Sequence, residues 1–405
     1  MTPEATIAAI LADPRFQAAV AVLDRDHGRM VEEIVTLTEI PAPPFGEEAR
    51  AAAYLAMLRE HGLEEVEQDG VGNVMGRRRG TGNGATIVVA AHLDTVFPAG
   101  TDVRVRREGT KLFAPGVGDD TRSLAVNLAF IRAMDAAGIR TRADILFVGD
   151  VGEEGLGDLR GVRHLFLEGR HRDRIRAFFT VDSPEVDRIV TGGIGSKRYR
   201  ITFRGPGGHS FAAFGLVNPS YAMARAALTL ADLAAPADPR TTHCASVLGG
   251  GTSVNAIPNA VWMEVDLRSQ SAAELARLEA EFLAGVQAAV AAENAARSTR
   301  EGPVVAEVTP IGDRPAGHTP AGADIVRLAT AAVAAHGYAP RQEYSSTDAN
   351  IPMSLGIPAI KIGSGGRGGR AHSLEEWIDV EKTESLRGMS ASLAAILAVA
   401  GLAEA

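Results

Sequence analysis

Five separate segments of the chain carry histidine or carboxylate side chains of the kind that bind divalent metal ions. Several of these segments come directly after a short apolar run, and the ends of buried strands are where open α/β sheets present ligand groups. The residues are His92 with Asp94, Asp119 with Asp120, Glu153 with Glu154, Asp182, and His372. Because the set offers nitrogen and oxygen donors without thiolates, it favours zinc or a similar divalent ion.

The number of candidate ligands indicates more than one metal ion. With one aspartate counted from positions 119–120, the glutamate pair and Asp182 make four carboxylates, and these with the two histidines exceed the ligands that one tetrahedral ion needs. Adjacent carboxylates such as Glu153 and Glu154 repel each other unless a cation compensates them. In a two-metal hydrolase, one residue of such a pair can bind metal while its neighbour takes a proton from the attacking water. The pattern therefore predicts a pair of metal ions with a general base beside them.

Each segment also has a simpler interpretation when it is taken alone. A histidine at a strand end, such as His92, is more often a hydrogen-bonded structural residue than a metal ligand. Asp119 and Asp120 precede a helical pattern and could act only as a doubled N-cap. The metal hypothesis depends on all five segments meeting in space.

Short apolar runs alternate with helical patterns in the first part of the chain. Buried strands are predicted at residues 86–91, 143–148 and 177–181. Residues 121–137 carry apolar side chains at helical spacing, with Asp119 or Asp120 as the N-cap and Gly138 just past the end. This alternation predicts an α/β sheet.

A different pattern, typical of an α+β module, begins near Thr191. Strands are predicted at residues 198–203 and 261–267, and helices at residues 219–233 and 272–296. After Pro310 the first pattern returns, with a helix at 321–336, a strand at 358–362 and a helix at 381–399. We therefore predict one catalytic α/β domain formed by residues 1–190 and 310–405, with a second domain, residues 191–309, inserted into it.

Composition and charge exclude several classes of protein. The chain has 405 residues, 46% of them hydrophobic, and a formal net charge of -9. This balance is typical of globular proteins and lacks the basic surface needed to wrap nucleic acid. The single cysteine, Cys244, excludes an internal disulfide and a zinc site built from cysteine pairs. Asp13, Pro14 and Arg15 interrupt the apolar N-terminal stretch, which argues against a signal peptide or membrane span and makes the cytoplasm the expected location.

Six motifs in this order define a resemblance to a known family. They are HLDTV at 92–96, APGVGDD at 114–120, GEEG at 152–155, the strand-borne Asp182, GPGGHS at 205–210 and AHS at 371–373. Together they resemble the co-catalytic di-zinc metallopeptidases that include peptidase T, carboxypeptidase G, aminoacylase and succinyl-diaminopimelate desuccinylase. The resemblance covers nearly the whole chain and is closest to peptidase T-like members. It implies a mixed-sheet, zinc-exopeptidase-like catalytic domain with an inserted α+β dimerisation or lid domain.

The resemblance assigns roles to the candidate ligands. It implies that His92 and Asp182 hold one zinc, that Glu154 and His372 hold the other, and that Asp119 bridges both. Glu153 is the implied general base and acid, and Asp94 is expected to accept the second ring proton of His92. The peptide bond between Asp119 and Asp120 is expected to be cis. The implied cofactors are two divalent ions, zinc or alternatively cobalt or manganese.

The resemblance also implies residues that contact substrate. His209, in GPGGHS, is expected to reach across a homodimer and polarise the scissile carbonyl. Asn255 and Arg268 match positions that bind the substrate's carbonyl and carboxylate, although an ion pair with a neighbouring strand explains Arg268 nearly as well. A substrate-lining loop is expected at Ser346, Thr347 and Asp348.

Asp182 favours one substrate class within the family. Members that resemble aminopeptidases and dipeptidases tend to carry Asp at this ligand position, whereas carboxypeptidase-like and deacylase members tend to carry Glu. The sequence therefore predicts a hydrolase that cleaves a peptide bond in di- or tripeptides from the amino end. Lys197 and Arg198 could bind a peptide carboxylate, or they could be solvated strand charges.

Other functions are possible on the same pattern. A carboxypeptidase or an N-acyl-amino-acid deacylase would use the same scaffold, whereas a non-catalytic metal-dependent binding protein would not need Glu153 beside its ligands. The glycine-rich strings at 70–76 and 80–84 do not fit a dinucleotide fingerprint, and no nucleophile elbow of a serine hydrolase follows a strand. The expected partners are a small peptide or N-acyl amino acid and a second copy of the chain, with neither nucleic acid nor membrane.

Overall fold

The computed structural model of the protein describes residues 1–82 and 84–404, and this part of the chain divides into two units. Unit 1 consists of Met1–Gly193 and His318–Ala405, and unit 2 of Ile194–Gly317. The helices are α1 (Pro3–Ala12), α2 (Pro14–Arg25), α3 (His27–Thr38), α4 (Glu48–Arg59), α5 (Arg122–Ala136), α6 (Arg160–Leu167), α7 (Pro219–Asp232), α8 (Ala272–Ala296), α9 (Asp324–Ala335), α10 (Asn350–Ser354) and α11 (Lys382–Ala400).

The strands belong to four sheets. They are β1 (Glu64–Gln68), β2 (Val74–Arg78), β3 (Thr86–His92), β4 (Arg106–Glu108), β5 (Lys111–Phe113), β6 (Asp144–Asp150), β7 (Ile175–Val181), β8 (Arg188–Gly193), β9 (Gly195–Arg204), β10 (Gly208–His209), β11 (Thr241–Gly250), β12 (Ala256–Ile257), β13 (Ala260–Ser269), β14 (Val305–Arg314), β15 (Gly317–His318), β16 (Arg341–Ser345), β17 (Ala359–Ile362), β18 (Arg367–Gly369) and β19 (Trp377–Asp379).

The main sheet of unit 1 is mixed. Its strands run in the order β1-β2-β6-β3-β7-β17-β8, and β16 pairs with β8. β3 is parallel to both β6 and β7, and β17 is parallel to β7. β2 is antiparallel to β1 and to β6. The predicted α/β class with a mixed sheet is confirmed.

Helices cover both faces of this sheet. Every residue of β3 and β6 is buried, as expected for parallel strands that are covered on two sides. Val89 and Phe147 face the core formed with α1–α5, α9 and α11, whereas Val88 and Leu146 face a second core formed with α6 and α10. Because neighbouring residues alternate between the faces, each strand contributes to both cores.

The N-terminal residues that interrupt the apolar stretch start a helix. The Asp13 side chain accepts a hydrogen bond from the Arg15 N–H, and Pro14 occupies the first position of α2. No single helix of the described residues is long and apolar enough to span a bilayer. Taken together, the bent pair α1 and α2 has sufficient length and apolar composition.

The helix predicted at 121–137 begins at Arg122, and its predicted N-caps are wrong. Asp119 and Asp120 lie in a π-helical turn, Val117–Thr121, and their own φ/ψ angles are not helical. Thr121 occupies the N-cap position without a capping hydrogen bond, because its hydroxyl donates to the Gly116 carbonyl instead. At the other end Gly138 has a φ of 63°, so the predicted stop is confirmed.

Unit 2 is an antiparallel sheet in the order β11-β13-β9-β14, with α7 and α8 packed on one face. The Ser271 hydroxyl caps α8 by accepting the Glu274 N–H. The unit ends at Gly317 instead of the predicted 309, because β14 pairs with β9 and a register shift between Pro310 and Gly312 accommodates the proline within the strand.

A small antiparallel sheet in unit 1, of order β18-β19-β5-β4, was not predicted. Its strands have three residues each, too few to show an alternating pattern in the sequence.

Candidate metal centre

The carboxyl ends of the parallel strands lie at one edge of the main sheet and deliver most of the predicted ligands. His92 is the last residue of β3, and Asp182 directly follows β7. Glu153 and Glu154 come shortly after the end of β6. His372 lies in the segment between β18 and β19. The topology explains how segments far apart in sequence reach the same place.

Six side chains converge into three overlapping groups that could each hold a metal ion. Within a group, one ligand atom of every residue lies within 4.8 Å of the others. The groups are His92 with Glu153 and Glu154, His92 with Asp119 and Asp182, and Asp119 with Glu154 and His372. The second and third groups share Asp119 and contain the residues predicted to hold the two ions.

Asp119 lies between the two histidines. Its Oδ1 is 2.9 Å from His92 Nε2, and its Oδ2 is 3.1 Å from His372 Nε2. His372 Nε2 is also 2.9 Å from Glu154 Oε1. The peptide bond between Asp119 and Asp120 is cis, as predicted. One carboxylate thus presents an oxygen to each predicted ligand group.

The orientation of His92 is fixed differently from the prediction. Its Nδ1 lies 2.9 Å from the backbone carbonyl oxygen of Asp94, whereas the nearer carboxylate oxygen of Asp94 is 3.7 Å away. A hydrogen bond from Nδ1 to this carbonyl leaves Nε2 as the ligand atom. The predicted carboxylate contact is therefore replaced by a contact with the main chain of the same residue.

The carboxylate of Asp94 instead holds the segment that carries the two glutamates. Its Oδ1 accepts the backbone N–H of Glu153 at 3.0 Å, and its Oδ2 accepts that of Glu154 at 2.8 Å. The Asp94 side chain is fully buried. It therefore positions the predicted base and one predicted ligand at once.

The charges in this centre shift one another's pKa values. Hydrogen bonds to Asp119 and Glu154 raise the pKa of His372 to about 11. Burial disfavours the charged form of His92, but its contact with Asp119 and the charges of Asp120 and Asp119 raise its pKa well above the usual value. Burial raises the pKa of Asp182, and the nearby cation of Lys361 offsets only part of the effect. The centre is thus an acidic site in which two histidines supply compensating charge.

Glu376, to which no motif of the sequence points, also belongs to the centre. Its buried carboxylate accepts backbone hydrogen bonds from Gly116, Gly118 and Asp119. Burial, together with the charge of Asp119, raises its pKa to about 7. The only local signal was its position four residues after His372.

Two further buried carboxyl groups, of Asp150 and Asp348, lie close enough to interact with each other and with His92. Both side chains are buried, and burial raises the pKa of each, with the neighbouring carboxylate adding to the shift of Asp348. Because two buried carboxylates in contact repel each other, such a pair retains a proton. Asp348 is thus buried beside Asp150, and its expected place in a substrate-lining loop stays a prediction.

Other polar groups of the predicted substrate loop also make hydrogen bonds within the loop. Thr347 is buried, its hydroxyl accepts the Ala349 N–H, and its own N–H donates to the Asn350 side chain. A loop buried at this point satisfies its polar groups internally, and the lining role of Thr347 stays a prediction. Ser346 is half-buried.

In unit 2, His209 and Asn255 lie on paired segments. β10, which ends at His209, pairs with β12, and the Ser210 N–H donates to the Asn255 carbonyl at 2.9 Å. The Nδ1 atom of His209 accepts the backbone N–H groups of Phe211 and Ala212 at 3.2 and 3.3 Å. In the neutral ring, Nε2 is therefore the donor.

The basic residues predicted near the substrate form ion pairs within unit 2. Arg268 Nε lies 2.6 Å from Asp266 on its own strand, so the pairing partner is not on a neighbouring strand. Arg198 also pairs with Asp266, at 3.2 Å, and Lys197 pairs with Asp313 at 3.0 Å. Lys197 and Arg198 are thus ion-paired rather than only solvated strand charges, and their role in binding a peptide carboxylate stays a prediction.

The donor set of unit 1 fits divalent metal ions. Imidazole nitrogens and carboxylate oxygens are the ligands that zinc, cobalt and manganese accept. Several carboxylates gathered in a largely buried place need more positive charge than two histidines and Lys361 supply. The residues that would hold the ions are His92, Asp119, Glu154, Asp182 and His372.

The model of the peptidase family M20/M25/M40 matches residues 88–398, a range that includes every ligand segment. The chain belongs to this peptidase family. The match extends over well more than half of the sequence and confirms the resemblance drawn from the motifs. The protein is accordingly a hydrolase that acts on peptide bonds, and a metallopeptidase.

Solved structures with the same fold include three bacterial peptidases. The aminopeptidase PepT of Bacillus cereus has a TM-score of 0.74 and 23% identity over 92% of this chain and 99% of that chain. A tripeptidase of Staphylococcus aureus has a TM-score of 0.72 and 18% identity over 92% and 98% of the two chains. A dinuclear metal-binding peptidase of Bacillus subtilis has a TM-score of 0.65 and 17% identity over 91% and 98%. Comparison with curated protein sequences finds no match.

Proposed function

We propose that this peptidase is a metal-dependent aminopeptidase that hydrolyses di- or tripeptides. The shorter carboxylate at Asp182 supports the choice, since aminopeptidase-like members of the family tend to carry Asp at this position. The fold that the chain shares with an aminopeptidase and a tripeptidase also supports it.

The observation that carries the proposal is the position of Asp119. Its two oxygens face His92 and His372, so the two groups that could hold metal share one carboxylate. A shared carboxylate between two closely spaced ions is the arrangement that two-metal hydrolases use. In this proposal His92 and Asp182 hold one ion, and Glu154 and His372 hold the second.

The chemistry is then divided between the ions and the protein. Divalent ions bound at these residues would acidify a water molecule and polarise the carbonyl that it attacks. Glu153 takes the proton of the attacking water on its carboxylate and passes it to the leaving amine. Asp94 keeps Glu153 in place through the backbone hydrogen bond to its N–H.

We further propose that His209 of a second copy of the chain donates a hydrogen bond to the developing oxyanion. Because the backbone N–H groups of Phe211 and Ala212 occupy its Nδ1, the neutral ring can donate only through Nε2. Asn255 and Arg268 of the same unit would contact the substrate's carbonyl and carboxylate. Within the described residues, the Arg268 side chain makes a hydrogen bond only through Nε, to Asp266. Its two terminal nitrogens are therefore available to bind the substrate's carboxylate.

Support for a homodimer comes from unit 2. β11 is an edge strand of the four-stranded sheet, and its Leu248 is exposed. Leu228 on α7 and Val254 after β11 are exposed as well. Exposed apolar side chains along an unpaired edge are typical of a surface that another chain covers.

Replacing Glu153 by Gln tests the proposed mechanism. The substitution removes the proton acceptor while the backbone contact with Asp94 remains, so we expect metal binding to persist and kcat to fall by about 10²- to 10⁴-fold. The matched variant Glu154→Gln removes a proposed ligand and should lower the metal content itself. Undiminished turnover by Glu153→Gln would reject Glu153 as the base.

The substrate class is tested with a panel of peptides. Metal-loaded protein is assayed on free di- and tripeptides, amino-blocked peptides and N-acyl amino acids, before and after chelation. We expect cleavage of the free peptides, and loss of turnover on metal removal that added metal reverses. Cleavage confined to blocked substrates would favour a deacylase or carboxypeptidase, and full activity after verified metal removal would refute a metal-dependent mechanism.

A further inference from the structure

Glu376 makes three hydrogen bonds to the backbone of the loop that carries Asp119. Its Oε2 accepts the Gly116 N–H at 2.8 Å, and its Oε1 accepts the N–H groups of Gly118 and Asp119 at 2.8 and 2.9 Å. The side chain is 1% exposed. One carboxylate thus satisfies three buried donors that neither helix nor strand satisfies.

Backbone pairing brings the two segments together before the side chain acts. β5, which precedes the Asp119 loop, pairs with β19, which follows the His372 segment, and Phe113 lies opposite Trp377. Next to this pair, the Ala114 N–H donates to the Glu376 carbonyl at 3.1 Å. The register of two short strands therefore sets where Glu376 meets the loop.

The glycines of the motif GVGDD allow this contact. A Cβ atom at position 118 would lie 3.2 Å from Glu376 Oε1 and 3.0 Å from a methyl carbon of Ile378, closer than most neighbours of a real Cβ. Gly116 has a φ of 78°, a conformation that side chains rarely adopt. Glycine at position 116 allows the positive φ, and glycine at position 118 leaves room for the carboxylate to approach the backbone closely.

We infer that Glu376 is a positioning residue that fixes Asp119 relative to His372. Glu376 lies four residues after His372 and accepts the N–H of Asp119, and its own N–H donates to the Ser373 carbonyl, so a short hydrogen-bonded turn connects the two ligands. The Asp119 carboxylate can then keep one oxygen towards each histidine. The inference rests on the proposed function, because it concerns the alignment of proposed metal ligands.

The test compares Glu376→Gln with Glu375→Gln, a change at the exposed neighbouring glutamate. The amide of Glu376→Gln can accept through one atom only, and its NH2 group faces a backbone N–H. Metal affinity is measured by competition with a chromophoric chelator, using zinc and cobalt. We expect Glu376→Gln to bind about 10- to 100-fold more weakly than the wild type, with an altered visible spectrum of bound cobalt. Glu375→Gln should match the wild type.

A second readout does not depend on metal. In the metal-free protein, amide exchange at Gly116, Gly118 and Asp119 should be faster in Glu376→Gln than in Glu375→Gln, because the acceptor is impaired. Unchanged exchange, or equal metal affinity of the two variants, would overturn the inference. A wild-type protein that binds no divalent ion would instead refute the proposed function, while the exchange data would still decide whether Glu376 holds the loop.

Gly118→Ala approaches the same contact from the loop and leaves the carboxylate in place, so it serves if Glu376→Gln does not fold. We expect a comparable loss of metal affinity. Because both changes break the same contact, the double variant should lose less metal affinity than the product of the two single-variant losses. Fully multiplicative losses would show that the two residues act separately and would overturn the inference.

Discussion

Metal binding by this protein should release protons, because the two proposed histidine ligands are held in their charged form when no metal is bound. His372 lies between Asp119 and Glu154, which raise its pKa to about 11. The contact with Asp119 likewise raises the pKa of His92 well above the usual value. A histidine must be neutral to bind metal. We therefore expect loading of both ions near pH 7.5 to release about two protons per chain, one from each ring.

The sign and size of the pH dependence follow from the same contacts. Below the pKa of the histidine in the metal-free protein, each displaced proton should raise the apparent affinity of its ion about tenfold per pH unit. For His372 this range extends up to about pH 11. The ion pairs of the charged histidines make the stability of the metal-free protein fall as the pH rises, whereas the apparent metal affinity rises. Their contribution to stability is fully present below the usual histidine pKa of 6.5 and is lost as the pH rises through the raised values.

Calorimetry can count the protons. Zinc is titrated into metal-free protein in two buffers with different ionisation enthalpies, at the same pH, and the difference in heat gives the number released. His372→Asn keeps a polar side chain without a titrating ring, so its release should fall to about one. His318→Asn, at an exposed histidine of unit 1, is the matched control. A wild-type release below about one proton, or equal release by the wild type and His372→Asn, would refute the reasoning.

Two other predictions concern groups outside the metal ligands. Asp150→Asn should make the free energy of unfolding of the metal-free protein less dependent on pH above the ordinary pKa of Asp. Burial raises the pKa of Asp150, so the native state of the wild type loses stability as the pH rises. Denaturant unfolding at pH 5 and pH 8 measures the effect, and an equal change in unfolding free energy between the two pH values in both proteins would contradict it. Mixing inactive His209→Ala and Glu153→Ala subunits should restore part of the activity in heterodimers, and isolated heterodimers without activity would exclude a shared site.

Much of the fold could be predicted because its strong signals are local. The buried strands β3, β6 and β7 have continuous apolar runs, and α8 has helical spacing with Ser271 and Glu274 at its start. The start of α5 was misjudged because an aspartate before a helical pattern normally caps it, whereas Asp119 turns its carboxylate towards two histidines. The end of unit 2 was misjudged because Pro310 resembled a boundary while β14 continued through it.

The candidate ligands could be found because the chemistry of metal binding restricts residue types and because parallel strands end at one edge of a sheet. The parts played by Asp94 and Glu376 could not be found in this way. Each is a buried carboxylate that accepts backbone N–H groups from a segment remote in sequence, and such acceptors leave no periodic pattern.

The sequence by itself thus determined the ligand types, their order along the chain and the strands that carry them, since these depend on local hydrophobic patterns and on side-chain chemistry. Only the tertiary structure decided which of the other buried carboxylates hold the backbone and which share a proton. That choice depends on strand register and burial, as in the pairing of β5 with β19 and the contact of Asp150 with Asp348. Both are set by contacts between residues far apart in the chain, where hydrogen bonds and charges are strong because water is excluded.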